Sequence, residues 1–166
     1  MANIQISEIM SNKPITIEAG TSIMESAKLM KSYRVSSVVV MSKDKIVGIL
    51  TVDDIVRLAV AIGMDLEKNS VDEIMTTDVV TVTPAEDISE VMNIFTEFEV
   101  RQVPVIDNEK SLVGFVTLKD VLRVEPAMLD IAISGFRLEE ENRQKDIQKL
   151  SDGDLIVDED DEDLFE

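Results

Sequence analysis

The chain has 166 residues, enough for one compact domain or two small ones. It contains neither Cys nor His, which excludes disulfides, thiolate chemistry, His-dependent triads and His metal ligands. Its net charge of −18, with no cluster of Lys and Arg, argues against a nucleic-acid partner. No apolar stretch approaches the length of a membrane span. The N-terminus lacks a basic region followed by an apolar run, so no signal peptide is read and a cytoplasmic protein is expected, with no membrane partner. The acidic balance is uneven. Residues 139–166 hold 13 acidic and 3 basic side chains, a net −10, which leaves −8 on the remaining 138 residues.

In chain order the elements occur twice. A shift of 65 residues lays Glu8-Ile9-Met10 on Glu73-Ile74-Met75, Thr16 on Thr81, Ile23 on Ile88, Val35 on Val100 and Val40 on Val105. One extra residue enters near Glu109 to Ser111. The shift is then 66: Val47-Gly48 meets Val113-Gly114, Thr51 meets Thr117, Asp54 meets Asp120 and Arg57 meets Arg123. The copies run over roughly 7–60 and 72–124.

Each copy opens with a short β-rich piece, Ile15 to Ile17 or Val79 to Thr83. A turn at Ala19-Gly20 or Pro84-Ala85 follows. Apolar spacing then predicts a helix through Ile23, Ala27 and Met30, or Ile88, Met92 and Phe95. Two strands come next: Val38 to Met41 and Ile46 to Leu50, or Val103 to Ile106 and Leu112 to Val116. Their polar turns are Ser42 to Lys45 and Asp107 to Ser111. A second helix begins at Thr51 or Thr117, and the first of these ends near Gly63, a plausible C′ glycine. Each copy thus reads β-α-β-β-α. A copy of about 55 residues is small for an independent core, so the pair is expected to pack by a pseudo-twofold into one folding unit.

This pattern resembles the CBS (cystathionine-beta-synthase-type) domain family. The resemblance is carried by Val71 to Met75 (in part Ile6 to Met10), by Val100-Arg101-Gln102-Val103-Pro104-Val105, and by the closing pieces Gly48 to Asp54 and Gly114 to Asp120. The first copy departs from the pattern with Val39 where the second has Pro104, the commoner family residue. The resemblance implies an α/β (α+β) fold of tandem repeats, to which this chain adds a C-terminal helix and acidic tail, and a regulatory module rather than an enzyme. It implies two clefts for adenosine ligands such as AMP, ADP, ATP or S-adenosylmethionine, with no required cofactor and no metal. A homodimer and an unidentified protein partner are also implied. The first cleft would combine Ile49, Thr51 and Asp54 with Thr77, Asp78, Val79, Val100, Arg101 and Gln102. The second would combine Phe115, Thr117 and Asp120 with Asn12, Lys13, Pro14, Val35, Ser36 and Ser37.

Thr51-x-x-Asp54 and Thr117-x-x-Asp120 support two readings. One is a capping box at a helix start. The other is a ligand site in which the helix N-terminus and the Thr hydroxyl meet phosphate while the Asp accepts from ribose hydroxyls. Gly48 and Gly114 mark either a close backbone contact or room for a ligand. Arg101 can fork onto phosphate where the first copy has only Ser36-Ser37, and otherwise it is a solvated surface charge. The first cleft is therefore expected to be the better phosphate site. The second is expected to be weaker, empty or selective for a less anionic derivative, unless Lys13 and Lys119 rescue it. The nine Met residues read as core filler.

The spans are drawn as 1–66 and 67–125 for the repeats, 126–150 for a helical extension and 151–166 for an acidic, disordered tail. Pro126 opens the extension, and Met128, Leu129, Ala132, Ile133 and Phe136 give it an apolar stripe from about 127 to 149. The alternative function is a ligand-free interaction or dimerisation module acting through this helix and tail.

Overall fold

A computed structural model describes residues 4–134 together with Arg137, Gln144 and Lys145. The first copy contains a helical turn α1 (Ile6–Ile9), strand β1 (Thr16–Glu18), helix α2 (Ile23–Tyr33) and strands β2 (Ser37–Ser42) and β3 (Lys45–Thr51). Helix α3 (Val52–Asp54) continues as a π-helix over Ile55–Val60. The second copy opens with a 3-10 turn (Val71–Glu73) and continues with α4 (Ile88–Glu97), β4 (Gln102–Ile106), β5 (Leu112–Thr117) and α5 (Leu118–Val124). A 3-10 turn at Pro126–Met128 leads into helical residues 129–134.

In the first copy β1 runs parallel to β2, and β2 pairs antiparallel with β3. Lys43 and Asp44 connect β2 to β3 with positive φ at both positions, as a two-residue hairpin of matching twist needs. The second copy repeats the hairpin as β4 and β5 but not the opening strand. The strand expected over 79–83 shrinks to a single parallel bridge, Val82 to Val105. The reason is one residue. Val39 donates its N–H to the Ile15 carbonyl at 3.0 Å, and the equivalent donor in the second copy is Pro104, which has no N–H. Val82 still donates to Pro104 at 3.1 Å and accepts from Ile106 at 2.9 Å.

The helix of the first copy ends as its glycine suggested. Gly63 has φ +74°, Met64 donates to Ala59 and Gly63 to Val60, the two bonds of a Schellman stop. In the extension, Met128 and Ala132 are buried in the second copy's core, while Leu129 and Ile133 are about half exposed. The remainder of the extension, Phe136 included, and the tail 151–166 lie outside the described residues apart from the three named above.

The two copies trade their opening segments. Ile6 and Ile9 are buried with Val82, Ile88, Met92, Phe95 and Val103 of the second copy. Val71 and Ile74 are buried with Ile17, Ile23, Val38, Leu50 and Ile55 of the first. Backbone bonds match this symmetry. Ser11 and Phe115 exchange both N–H···O bonds at 2.8 and 2.9 Å, and their equivalents Thr76 and Ile49 do so at 2.9 and 3.0 Å. Each core is therefore completed by a segment from the other copy, and the pair forms one unit.

Gly48 and Gly114 sit where the exchanged segments cross. A Cβ on Gly48 would lie 2.5 Å from Met75 Sδ and 3.1 Å from the Thr76 carbonyl; on Gly114 it would lie 2.5 Å from Met10 Sδ and 3.1 Å from the Ser11 carbonyl. Both glycines thus serve close backbone contact.

Two expectations follow. Gly48→Ala should lower stability by about 1–3 kcal/mol through overpacking. Combined with Met75→Ala in a double-mutant cycle followed by urea unfolding, it should lose less than the sum of the single losses. Ile6→Ala should cost about 2–5 kcal/mol. Native-state hydrogen exchange should then accelerate first in α4, β4 and β5, whose core Ile6 joins, and not in α2 to β3, which it precedes in sequence.

Candidate functional site

The second helix of each copy starts with the same hydrogen-bonded box. Thr51 donates its N–H and its hydroxyl to Asp54 Oδ2 at 2.8 and 2.7 Å, and Asp54 N–H donates to Thr51 Oγ1 at 3.1 Å. Thr117 and Asp120 repeat this at 3.0, 2.6 and 3.3 Å. The next free amide is also taken, since Val52 N–H donates to the Ser36 carbonyl at 3.0 Å and Leu118 N–H to the Arg101 carbonyl at 2.8 Å.

This is the capping-box geometry, with each Thr hydroxyl directing its one proton at the Asp carboxylate. The helix N-termini have two of their first amides already bonded. The second oxygen of each Asp, Oδ1, lies outside the box; that of Asp120 has Arg123 at 3.5 Å. Other side chains are also placed to meet an anion here.

Those side chains line one cavity of about 920 Å³. Lys13, Pro14, Val35, Ser36 and Ser37 of the first copy meet Phe115, Thr117 and Asp120 of the second, so the structure brings together every residue of the second cleft except Asn12. Arg101 and Gln102, assigned from sequence to the first cleft, line this cavity too. Ile49, Thr51, Asp54, Thr77, Asp78, Val79 and Val100 do not line it.

Sequence reasoning missed Arg34, which follows the last turn of α2 and lines the cavity with Lys13, Arg101 and Lys119. Four of the chain's 16 basic residues therefore face one space, and among the described residues the one carboxylate that lines it is that of Asp120. The apolar lining comes from Pro14, Ile15, Val35, Phe115, Leu118 and Leu122, among others. An apolar surface with a few convergent polar groups is the usual make-up of a small-molecule site, and the volume lies within the usual range of roughly 300–1,000 Å³. Among the described residues no group of three His, Cys, Asp or Glu is placed to hold a metal, and no helix is long and apolar enough to cross a membrane.

Comparison with known proteins agrees with this duplicated architecture. The CBS domain matches twice, over residues 6–61 and 71–127. The chain belongs to the CBS domain family. Among solved structures it is similar to the CBS domain pair of protein MJ0100 in complex with 5′-methylthioadenosine and S-adenosyl-L-methionine. The TM-score is 0.66 and the identity 30%, over 73% of this chain and 98% of that one. Protein MK0525 of Methanopyrus kandleri is 28% identical over 78% of this chain and 66% of its own length. The L-aspartate semialdehyde sulfurtransferase of Methanocaldococcus jannaschii is 31% identical over 72% of this chain. The matched CBS stretch is 23% of that enzyme.

The capping role of the CBS threonines has a direct test. Thr117→Val and Thr51→Val should each lower stability by about 0.5–2 kcal/mol, the usual worth of an N-cap side chain, as read by urea unfolding.

Proposed function

We propose that this CBS pair is a regulatory module that takes an adenosine-containing ligand into the cavity lined by both repeats and signals its occupancy to a protein partner. The observation that carries the reading is the cavity itself, whose walls come from both copies, Lys13 to Ile15 and Arg34 to Ser37 of one and Arg101, Gln102, Phe115 and Thr117 to Asp120 of the other. The adenosine ligands in the MJ0100 pair support it. In this reading the adenine ring packs against the apolar wall, Val35 and Phe115 among it. Asp120 Oδ1 accepts from ribose hydroxyls, for which a carboxylate is suited because it is acceptor-only. The module is not an enzyme and requires no cofactor; the ligand is its regulator.

Signalling follows from the cavity's dual walls. A ligand touching both repeats favours the arrangement in which both walls are in reach. It shifts the equilibrium only by its differential affinity for the two arrangements. The exchanged opening segments give such a shift a path, since Ser11 lines the cavity and is hydrogen-bonded to Phe115. A homodimer is part of the proposal. Val56, Leu58, Val60 and Ile62 are each about half exposed on and after the π-helix, apolar surface that a second copy would cover. The same surface favours the alternative reading, an interaction module that takes no ligand.

Thermal unfolding with AMP, ADP, ATP, S-adenosylmethionine and methylthioadenosine, with magnesium present, separates the two. A ligand at about 100 times its dissociation constant adds about 2.7 kcal/mol, several degrees for a chain of this size. Asp120→Asn keeps an oxygen for the capping box but turns the outer one into a donor. It should abolish the shift, while Asp54→Asn, the same change outside the cavity, should leave it. No shift with any ligand at millimolar concentration would leave the interaction module as the reading.

A further inference from the structure

The two copies carry opposite charges at equivalent places. Lys13, Arg34 and Lys119 line the cavity. By the same repeat shifts, their counterparts are Asp78, Glu99 and Asp53. Arg101 likewise corresponds to Ser36, which is neutral. Among the described residues the cavity lining has four cations and one carboxylate, and at the equivalent positions of the other copy three of the four cations become acids. None of Lys13, Arg34 and Lys119 forms an ion pair with a described residue.

Arg34 has φ +55° and ψ +41°, the left-handed region, and its counterpart Glu99 has φ +53°. Val35 N–H donates to the Met30 carbonyl at 3.0 Å and Arg34 N–H to that of Lys31 at 3.3 Å, so Arg34 occupies the C′ place of a Schellman stop. That place favours glycine, which Gly63 supplies at the other helix end of the same copy. An arginine there is the less stable choice for the fold, and its side chain lines the cavity. The left-handed place is common to both copies, so what is particular to Arg34 is its charge.

We propose that Arg34 determines specificity, and that with Lys13, Arg101 and Lys119 it makes this one cavity select phosphorylated adenosine ligands over the cationic sulfonium of S-adenosylmethionine. The inference rests on the adenosine reading above and adds the charge class of the ligand and its stoichiometry. The acidic counterpart cleft repels phosphate, so one nucleotide binds per chain. Arginine suits the task because its planar fork meets phosphate oxygens in pairs and stays charged at every physiological pH. The cavity's surplus of positive charge also works against a sulfonium ligand, since like charges at close range in a partly desolvated site repel.

Isothermal titration calorimetry with ADP, S-adenosylmethionine and the uncharged methylthioadenosine tests this on the wild-type chain and on Arg34→Gly and Arg34→Gln. The wild type is expected to bind one ADP per chain at least about tenfold more tightly than S-adenosylmethionine, the size of one charge-assisted hydrogen bond. Both variants should lose about tenfold or more for ADP and change little for methylthioadenosine. The melting temperature of Arg34→Gly should equal or exceed that of the wild type, because glycine suits the left-handed position. Arg34→Gln keeps the backbone strain and removes only the charge, so a loss of affinity in both variants belongs to the charge. Equal affinity for ADP and S-adenosylmethionine, two equivalent ADP sites, or unchanged ADP binding in both variants would overturn the selection while leaving the adenosine reading in place. Binding of none of the three ligands would overturn both.

Discussion

Ile6 and Ile9 are buried in a core to which their own repeat contributes little else, and Val71 and Ile74 return the arrangement in the other direction. The rest of the molecule depends on this exchange. A single helical turn such as α1 has no stability of its own, because nucleating a helix is unfavourable until several turns have formed. Burial of its apolar side chains in the opposite core holds it in place. The crossing of the exchanged segments presses Met10 and Met75 against the strands at Gly114 and Gly48, where no side chain fits. It also brings residues 11–15 beside β5 and α5, and so builds one wall of the cavity from the far copy.

The start of each second helix shows how little of a shared motif is left over for a ligand. The Thr-x-x-Asp box satisfies the helix's own amides, and the carbonyl of Ser36 or Arg101 takes the next one. What remains is the second amide of each helix, one carboxylate oxygen and whatever side chains the surrounding segments supply. Long basic side chains on the cavity wall add to the recognition of charge. The two helices therefore have the same local structure and need not have the same ligand chemistry.

The copies also differ where a single atom matters. Pro104 lacks the N–H that Val39 uses, and the second sheet loses a strand partner as a result. The helix after Thr51 widens into a π-helix over Ile55–Val60, while its counterpart α5 stays α-helical. Val56, Leu58 and Val60 are exposed on the wider helix, and Val124, the counterpart of Leu58, is exposed at the end of α5.

Much of this was legible before any coordinates. The repeat shift, the two hairpins, the capping boxes and the Gly63 stop all depend on contacts within a few residues, and local chemistry specifies such contacts directly. The identity of the residues that share the cavity did not follow in the same way. Sequence reasoning assigned Arg101 and Gln102 to the first cleft, but they line the cavity with Thr117 and Asp120. It passed over Arg34 because a residue after a helix end reads as solvated unless the opposite wall is known. Sequence alone determined that there are two copies and what each does locally, because periodicity and capping act over one or two turns. Only the tertiary structure decided which copy's opening segment completes which core and which charges share a cavity, because those pairings join residues far apart in the chain.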